Sequence, residues 1–69
     1  MEDLLHTAEV ADTVQKIINT PITDAATIEN ILSSASVATR GEAIDFILTN
    51  QTFRGTYPEY AYYFDKRSN

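Results

Sequence analysis

The sequence predicts an all-α fold, a small bundle of three to four short helices that forms a single domain over residues 1–69. Three observations lead to this prediction. Apolar residues recur at steps of three and four, which is the period of one helix face. Residues that favour helix starts precede the periodic stretches. Proline, glycine and short Ser/Thr clusters separate the stretches. The predicted helices span about 3–19, 24–34, 40–53 and 57–66.

The first predicted helix, 3–19, has a broad apolar face. Pro21 follows it and disfavours a helical conformation in the residue before it, so the helix is expected to end there. Asp12 and Lys16 lie four residues apart and are expected to pair on the solvent side. The apolar face consists of Leu4, Ala8, Ala11, Val14 and Ile18, widened by Leu5, Val10 and Ile17.

The second predicted helix, 24–34, begins at a capping residue. Either Thr23 or Asp24 can be this N-cap, because each offers a side-chain oxygen to the free amides of the first turn. The serine-rich stretch 33–36 ends the helix. Its apolar side consists of Ala25, Ile28, Ile31, Leu32 and Ala35.

The third predicted helix, 40–53, follows the sequence Thr39-Arg40-Gly41-Glu42. A threonine followed three residues later by a glutamate is a capping box, in which each side chain satisfies the backbone amide of the other residue. Gly55 lies just past the last apolar position and suits a left-handed helix stop. The apolar face consists of Ala43, Ile44, Ile47 and Leu48, with Phe46 on its flank and Phe53 near its end.

The fourth segment, 57–66, is predicted either as a helix or as an extended strand. Two features favour the helix. Thr56 and Glu59 form a second predicted capping box, and Pro58 lies in the first turn, where a helix tolerates proline. In a helix, one arc carries Tyr57, Tyr60, Ala61 and Phe64, while Tyr62 and Tyr63 point away from it. In a strand, Tyr60, Tyr62 and Phe64 would line one face.

Aromatic crowding in this tail predicts a protein-interaction site. All four tyrosines of the chain and Phe64 fall within eight residues, flanked by basic side chains. Tyrosine and arginine are enriched at the hot spots of protein–protein interfaces. The alternative is that the rings only close one end of the bundle, with their hydroxyls in water. The predicted interaction residues are Arg54, Tyr57, Tyr60, Tyr62, Tyr63, Phe64 and Arg67.

Composition argues against several other functions. The chain has no cysteine and a single histidine, so we expect neither a metal site nor any other cofactor. His6 and Glu9 lie three residues apart, but nothing beside them supplies a nucleophile or a substrate pocket, and we expect no enzyme. The net charge of −5 disfavours nucleic acid and permits a basic partner.

The leading hypothesis is a non-enzymatic interaction module, an adaptor, inhibitor or modulator that docks on a larger protein. Compact chains of this kind are frequent among accessory proteins of viruses and bacteria. A first alternative is a self-assembling subunit, such as a homodimer, that buries the broad face of the first helix. A second is a helix-turn-helix nucleic-acid binder with residues 40–48 as its reading helix, which the acidic Glu42 and Asp45 disfavour. No apolar run approaches membrane-spanning length, so we expect a soluble protein of the cytoplasm.

Overall fold

The computed structural model describes the backbone of residues 4–68 and the side chains of residues 8–68. Over this range the chain forms helices and no strand, which confirms the predicted all-α bundle. The helices are α1 (Leu4–Ile18), α2 (Ala25–Ser34), α3 (Val37–Thr49), α4 (Gln51–Thr56) and α5 (Pro58–Ser68). The predicted position Asp3 and the side chains of Leu4, Leu5 and His6 lie outside the described part.

Helices α1 and α2 have the bounds that the sequence predicts to within one residue at each described end. Asp24 caps α2, because its carboxylate accepts a hydrogen bond of 3.2 Å from the Thr27 amide. The predicted ion pair between Lys16 and Asp12 is present at 3.1 Å. The buried hydroxyl of Thr20, just past the end of α1, donates a hydrogen bond of 2.9 Å to the Lys16 carbonyl, so this polar group is satisfied.

Helix α3 begins at Val37, three residues before the predicted start, so the box at Thr39 and Glu42 is not its cap. Ser36 takes that position in an extended conformation, and its Oγ accepts from the Thr39 amide at 3.1 Å. Thr39 therefore lies in the first turn and is buried. Both Ser36 and Thr39 have a hydroxyl suited to capping, and the chain uses the earlier one.

The predicted single helix 40–53 is wrong, because the chain turns at Asn50 and continues as α4. The amide of Asn50 closes α3 by donating to the Phe46 carbonyl at 2.8 Å, while its side-chain oxygen accepts from the Phe53 amide at 2.8 Å. One residue thus ends one helix and caps the next. The left-handed stop predicted at Gly55 is also wrong, since Gly55 lies inside α4 and no described residue has a positive φ.

The C-terminal segment is a helix, so the extended alternative does not hold. Pro58 is its first residue, the position that a missing amide tolerates best. The second predicted box does not cap it, since Thr56 is the last residue of α4 and Tyr57 stands before Pro58. The Tyr57 carbonyl accepts from the amides of Tyr60 and Ala61, each at 3.1 Å, and so starts the helix.

The core draws side chains from all of the helices. Helix α1 packs against α2 and α3, and α5 packs against α3 and α4. The apolar face of α1 is rotated from the predicted stripe: Val14 and Ile17 are buried, whereas Ala8 and Ala11 are exposed. Among the side chains of residues 8–68, the buried apolar residues are Val14, Ile17, Ile28, Leu32, Ala43, Ile47, Phe53, Tyr60, Ala61 and Phe64.

We predict that Phe64→Ala unfolds the protein. Phe64 has no exposed surface, and truncating a buried phenylalanine costs about 3–5 kcal/mol. A core of this size rarely supplies more than about 3–5 kcal/mol in total. Urea titration followed by far-ultraviolet circular dichroism measures the change. Tyr62→Ala on the same helix is the control and should shift stability by no more than about 0.5 kcal/mol. A cooperative Phe64→Ala variant with unchanged midpoint would contradict the assigned core.

We predict that Asn50→Ala destabilises the protein by about 1 kcal/mol, the usual value of a lost helix cap. Asn50→Asp should retain most of the stability, because a carboxylate oxygen can accept the same hydrogen bond from the Phe53 amide. The same urea titration compares the two variants. Equal midpoints for alanine and aspartate would mean that the side chain of Asn50 does not hold the turn.

Candidate interaction surface

The structure divides the seven predicted interaction residues by their burial. Two are buried in the core, three are half-buried and two are exposed. The buried pair is Tyr60 and Phe64, the half-buried set is Arg54, Tyr57 and Tyr63, and the exposed pair is Tyr62 and Arg67. The predicted arc of α5 is therefore the face that meets the bundle.

The Tyr60 hydroxyl attaches α5 to the end of α1. It donates a hydrogen bond of 2.5 Å to the Thr20 carbonyl, forty residues away in the chain. This contact satisfies the polar end of a ring that is otherwise buried among apolar groups. Tyr60 consequently acts as part of the fold.

The Tyr57 ring belongs to a line of aromatic contacts that runs from α3 to α5. Phe46 and Phe53 meet edge-to-face with centroids 5.7 Å apart, Phe53 and Tyr57 lie 5.1 Å apart, and Tyr57 and Tyr60 lie 6.1 Å apart. These separations are within the range of favourable aromatic pairs. Tyr57 thus connects α4 to α5.

Arg54 joins three helices at one point. Its guanidinium makes two hydrogen bonds to the Asp65 carboxylate, at 2.7 and 3.1 Å, and reaches the carbonyls of Leu48 and Ile47 at 3.2 and 3.4 Å. Those carbonyls lie in the last turn of α3, where a cation is favoured. The hydrogen bonds from Arg54 lower the pKa of Asp65 below its ordinary value.

Arg67 and Tyr63 hold α5 to α2 through Glu29. Arg67 donates to the two carboxylate oxygens at 2.7 and 2.9 Å, and the Tyr63 hydroxyl donates to one of them at 2.6 Å. The hydrogen bonds from Arg67 lower the pKa of Glu29. Burial, followed by the hydrogen bond to Glu29, raises the pKa of Tyr63. Sequence reasoning placed Tyr63 away from the bundle, and its hydroxyl instead serves the fold.

Tyr62 differs from the other rings, since 64% of its surface remains exposed. The ammonium group of Lys66, one turn later, lies 5.8 Å from its ring centroid. The ring borders a mainly apolar concavity of about 550 Å³ between α5 and the loop before α2. We call this region the tyrosine surface; it is lined by Ile22, Glu59, Tyr62, Tyr63, Lys66 and Arg67.

Sequence reasoning found Tyr62, Tyr63 and Arg67 of the tyrosine surface and missed its other three members. Ile22 is an isolated apolar residue that follows Pro21 in a predicted loop. This isolation from any helix face is the one local signal that could have marked it as part of a surface site. Glu59 and Lys66 are exposed on α5. Lys66 is one of the basic side chains that flank the aromatic tail in the sequence, but it was not among the predicted interaction residues.

Arg40 is the first residue and the one basic side chain of the segment 40–48 that the nucleic-acid alternative takes as its reading helix, and it contacts the protein itself. Its guanidinium reaches the Leu32 carbonyl near the end of α2 at 3.4 Å. The carboxylate of Glu9, considered beside His6, accepts at 3.3 Å from the Thr39 hydroxyl. Across the described residues, no three His, Cys, Asp or Glu side chains are grouped to hold a metal ion. None of the helices between residues 4 and 68 has the length and apolar character needed to cross a membrane.

Comparison of the chain with protein-family models, curated proteins and solved structures finds no significant match. Any functional assignment therefore depends on the surfaces of this fold.

We predict that stability decreases as the pH falls below about 4, near the ordinary carboxyl values. The folded protein holds the pKa of Glu29 and of Asp65 below those values, so the unfolded chain binds more protons in this range and is favoured. Urea midpoints measured across acid pH test this. Glu29→Gln should show a shallower decrease, because one of the two shifted carboxyls is gone. An unchanged slope in that variant would contradict the assignment.

Proposed function

We propose that this chain is a non-enzymatic interaction module that binds a larger protein through the tyrosine surface. The observation that carries the proposal is the exposure of Tyr62. Every other aromatic or basic group predicted for the site contacts another part of the fold, whereas this ring faces solvent beside an apolar concavity. Tyrosine offers a large rigid contact area with a hydroxyl at its end, which suits an interface centre.

The surroundings of Tyr62 are suited to binding without rearrangement. Helix α5 is attached to α1 by Tyr60, to α3 and α4 by Arg54, and to α2 by Arg67. A surface that is already ordered loses less conformational entropy when a partner arrives. Glu59 and Lys66 stand at its border and supply one charge of each sign for polar contacts at the rim.

The positions of the titratable groups favour binding over catalysis. Active sites commonly gather groups of shifted pKa in a cleft around the substrate. Here the groups of shifted pKa, Glu29, Tyr63 and Asp65, each take part in a contact that joins one helix to another. The acidic charge of the whole chain, −5, fits a larger partner with a basic face.

We predict that Tyr62→Ser removes partner capture while the fold is retained. The immobilised protein is incubated with lysate of its native host, and the bound proteins are identified by mass spectrometry. Val37→Ser is the matched control, since Val37 is also a strongly exposed apolar residue, 76% exposed, but lies at the start of α3. Both variants should keep the helical circular dichroism of the wild type.

A protein captured by the wild type and by Val37→Ser, but at least about tenfold less by Tyr62→Ser, supports the proposal. Equal capture by all three proteins contradicts the proposal. Loss of helicity in Tyr62→Ser also contradicts it, because the ring would then belong to the core. Capture of the chain by itself would favour the self-assembling alternative.

A further inference from the structure

The part of α5 that lines the tyrosine surface has a charge pattern that is complementary to itself. Glu59 and Lys66 are both exposed and have opposite charges. They lie seven residues apart, which is close to two helical turns. Tyr62 and Tyr63 stand at the midpoint between them. Along the helix, the surface therefore presents an acid, a pair of aromatic rings and a base, in that order.

Two such surfaces match when their helices lie antiparallel. In a symmetric pair the same patch serves on both copies, and residues at equal distances from the twofold axis meet. An axis between Tyr62 and Tyr63 sets each Tyr62 ring against Tyr63 of the other copy, and aromatic rings in contact attract each other. The same axis brings Glu59 of each copy opposite Lys66 of the other. A parallel pair would instead place like charges side by side, which is unfavourable.

The two charges are available for contacts with another molecule. The side chain of Glu59 makes no hydrogen bond or ion pair with any other residue in the described part of the chain. Lys66 lies over the Tyr62 ring, with its ammonium group 5.8 Å from the centroid. The third charge of the surface, Arg67, is neutralised by Glu29 at 2.7 Å. One negative and one positive charge remain, so pairing at this surface does not bring acidic groups together, although the whole chain has a net charge of −5.

The concavity beside Tyr62 offers a place for the ring of a second copy. Its lining is mainly apolar and includes Ile22 and Tyr63. Tyr62 is 64% exposed, so its ring has apolar surface still to bury. In a symmetric pair each copy supplies one ring and one concavity, and both rings are covered at once.

We propose that two copies of this chain pair through the tyrosine surface, with their α5 helices antiparallel, when no larger partner is bound. The contact involves one helix and one loop from each copy. Small interfaces of this kind are weak, so we expect a dissociation constant above about 1 µM. The pairing depends only on the geometry of α5.

Pairing covers Tyr62 in both copies and therefore competes with the larger partner. This regulatory consequence rests on the function proposed above. Self-capture together with a larger protein is thus expected from lysate, and only self-capture alone speaks for a self-assembling subunit.

Charge reversals of the full chain test the pairing. Glu59→Lys alone and Lys66→Glu alone place like charges opposite each other when two identical copies meet. The double variant restores opposite charges, and so does an equimolar mixture of the two single variants. Sedimentation velocity from about 1 µM to about 1 mM measures the dissociation constants, and circular dichroism confirms that each variant remains helical.

Asp45→Lys is the matched control for Glu59→Lys. It makes the same change of charge at an exposed position of α3 that does not line the tyrosine surface. Both variants make the acidic chain less negative, so general repulsion between copies decreases equally in both. Only Glu59→Lys should weaken the pair.

We expect the wild type and Asp45→Lys to dimerise with similar dissociation constants, and each single reversal at Glu59 or Lys66 to raise the constant at least about tenfold. The double variant and the mixture should return it to within about threefold of the wild type. The proposal is overturned if the wild type stays monomeric at the highest concentration or if the single reversals leave the dimer intact. It is equally overturned if the mixture associates no more tightly than either single variant does alone.

Tyr62→Ser gives a second reading that does not change any charge. It removes the ring at the centre of the contact and should weaken the dimer at least about tenfold, whereas Val37→Ser should not. An intact dimer in Tyr62→Ser would assign self-association to another face and would overturn the pairing, even if a charge reversal failed to fold.

Lysate capture separates failure of the pairing from failure of the proposed function. If the reversals behave as expected but no larger protein is captured, the pairing stands and the proposed function fails. A monomeric wild type that captures a larger protein through Tyr62 gives the opposite result. A captured protein that binds the dimer without dissociating it would overturn the competition.

Discussion

The burial of the Phe64 ring is the constraint on which the rest of this structure depends. A chain of this length buries only about 60% of the surface of its unfolded form, and it has no cysteine for a disulfide. Helix α5 adds Tyr60, Ala61 and Phe64 to the core where α3 and α4 meet it. Most of the aromatic tail therefore serves to complete the core, and only its exposed side chains are available to a partner.

The polar contacts of α5 determine which aromatic ring stays exposed to solvent. Tyr60, Arg54 and the Arg67–Glu29 pair reach three different parts of the bundle, so α5 can neither rotate about its axis nor slide along it without breaking one of them. Arg67 and Glu29 are partly exposed, and pairs of this kind add little to stability, typically about 0–1 kcal/mol. Their effect is to orient the helix, which leaves Tyr62 facing solvent and Tyr63 turned toward Glu29.

Local sequence patterns predicted the helices and the buried arc of α5, because both follow from the helical period. They did not predict the break at Asn50, since an asparagine between polar residues such as Thr49 and Gln51 is also tolerated inside a helix. They misplaced the start of α3 because Ser36 and Thr39 are both suited to capping, and packing selects between them. The contact of Arg67 with Glu29 joins residues 38 positions apart, and no local pattern contains that information.

Native-state hydrogen exchange of the isolated protein tests most directly whether α5 is part of the core. The amides of residues 61–64 should exchange as slowly as those in the middle of α1 and α3, because opening α5 would expose Phe64 and so require global unfolding. Rapid exchange in α5 alongside protected α1 and α3 would contradict this. The aromatic tail would then be a loosely attached segment, and Tyr62 would not be the only ring of that tail free to meet a partner.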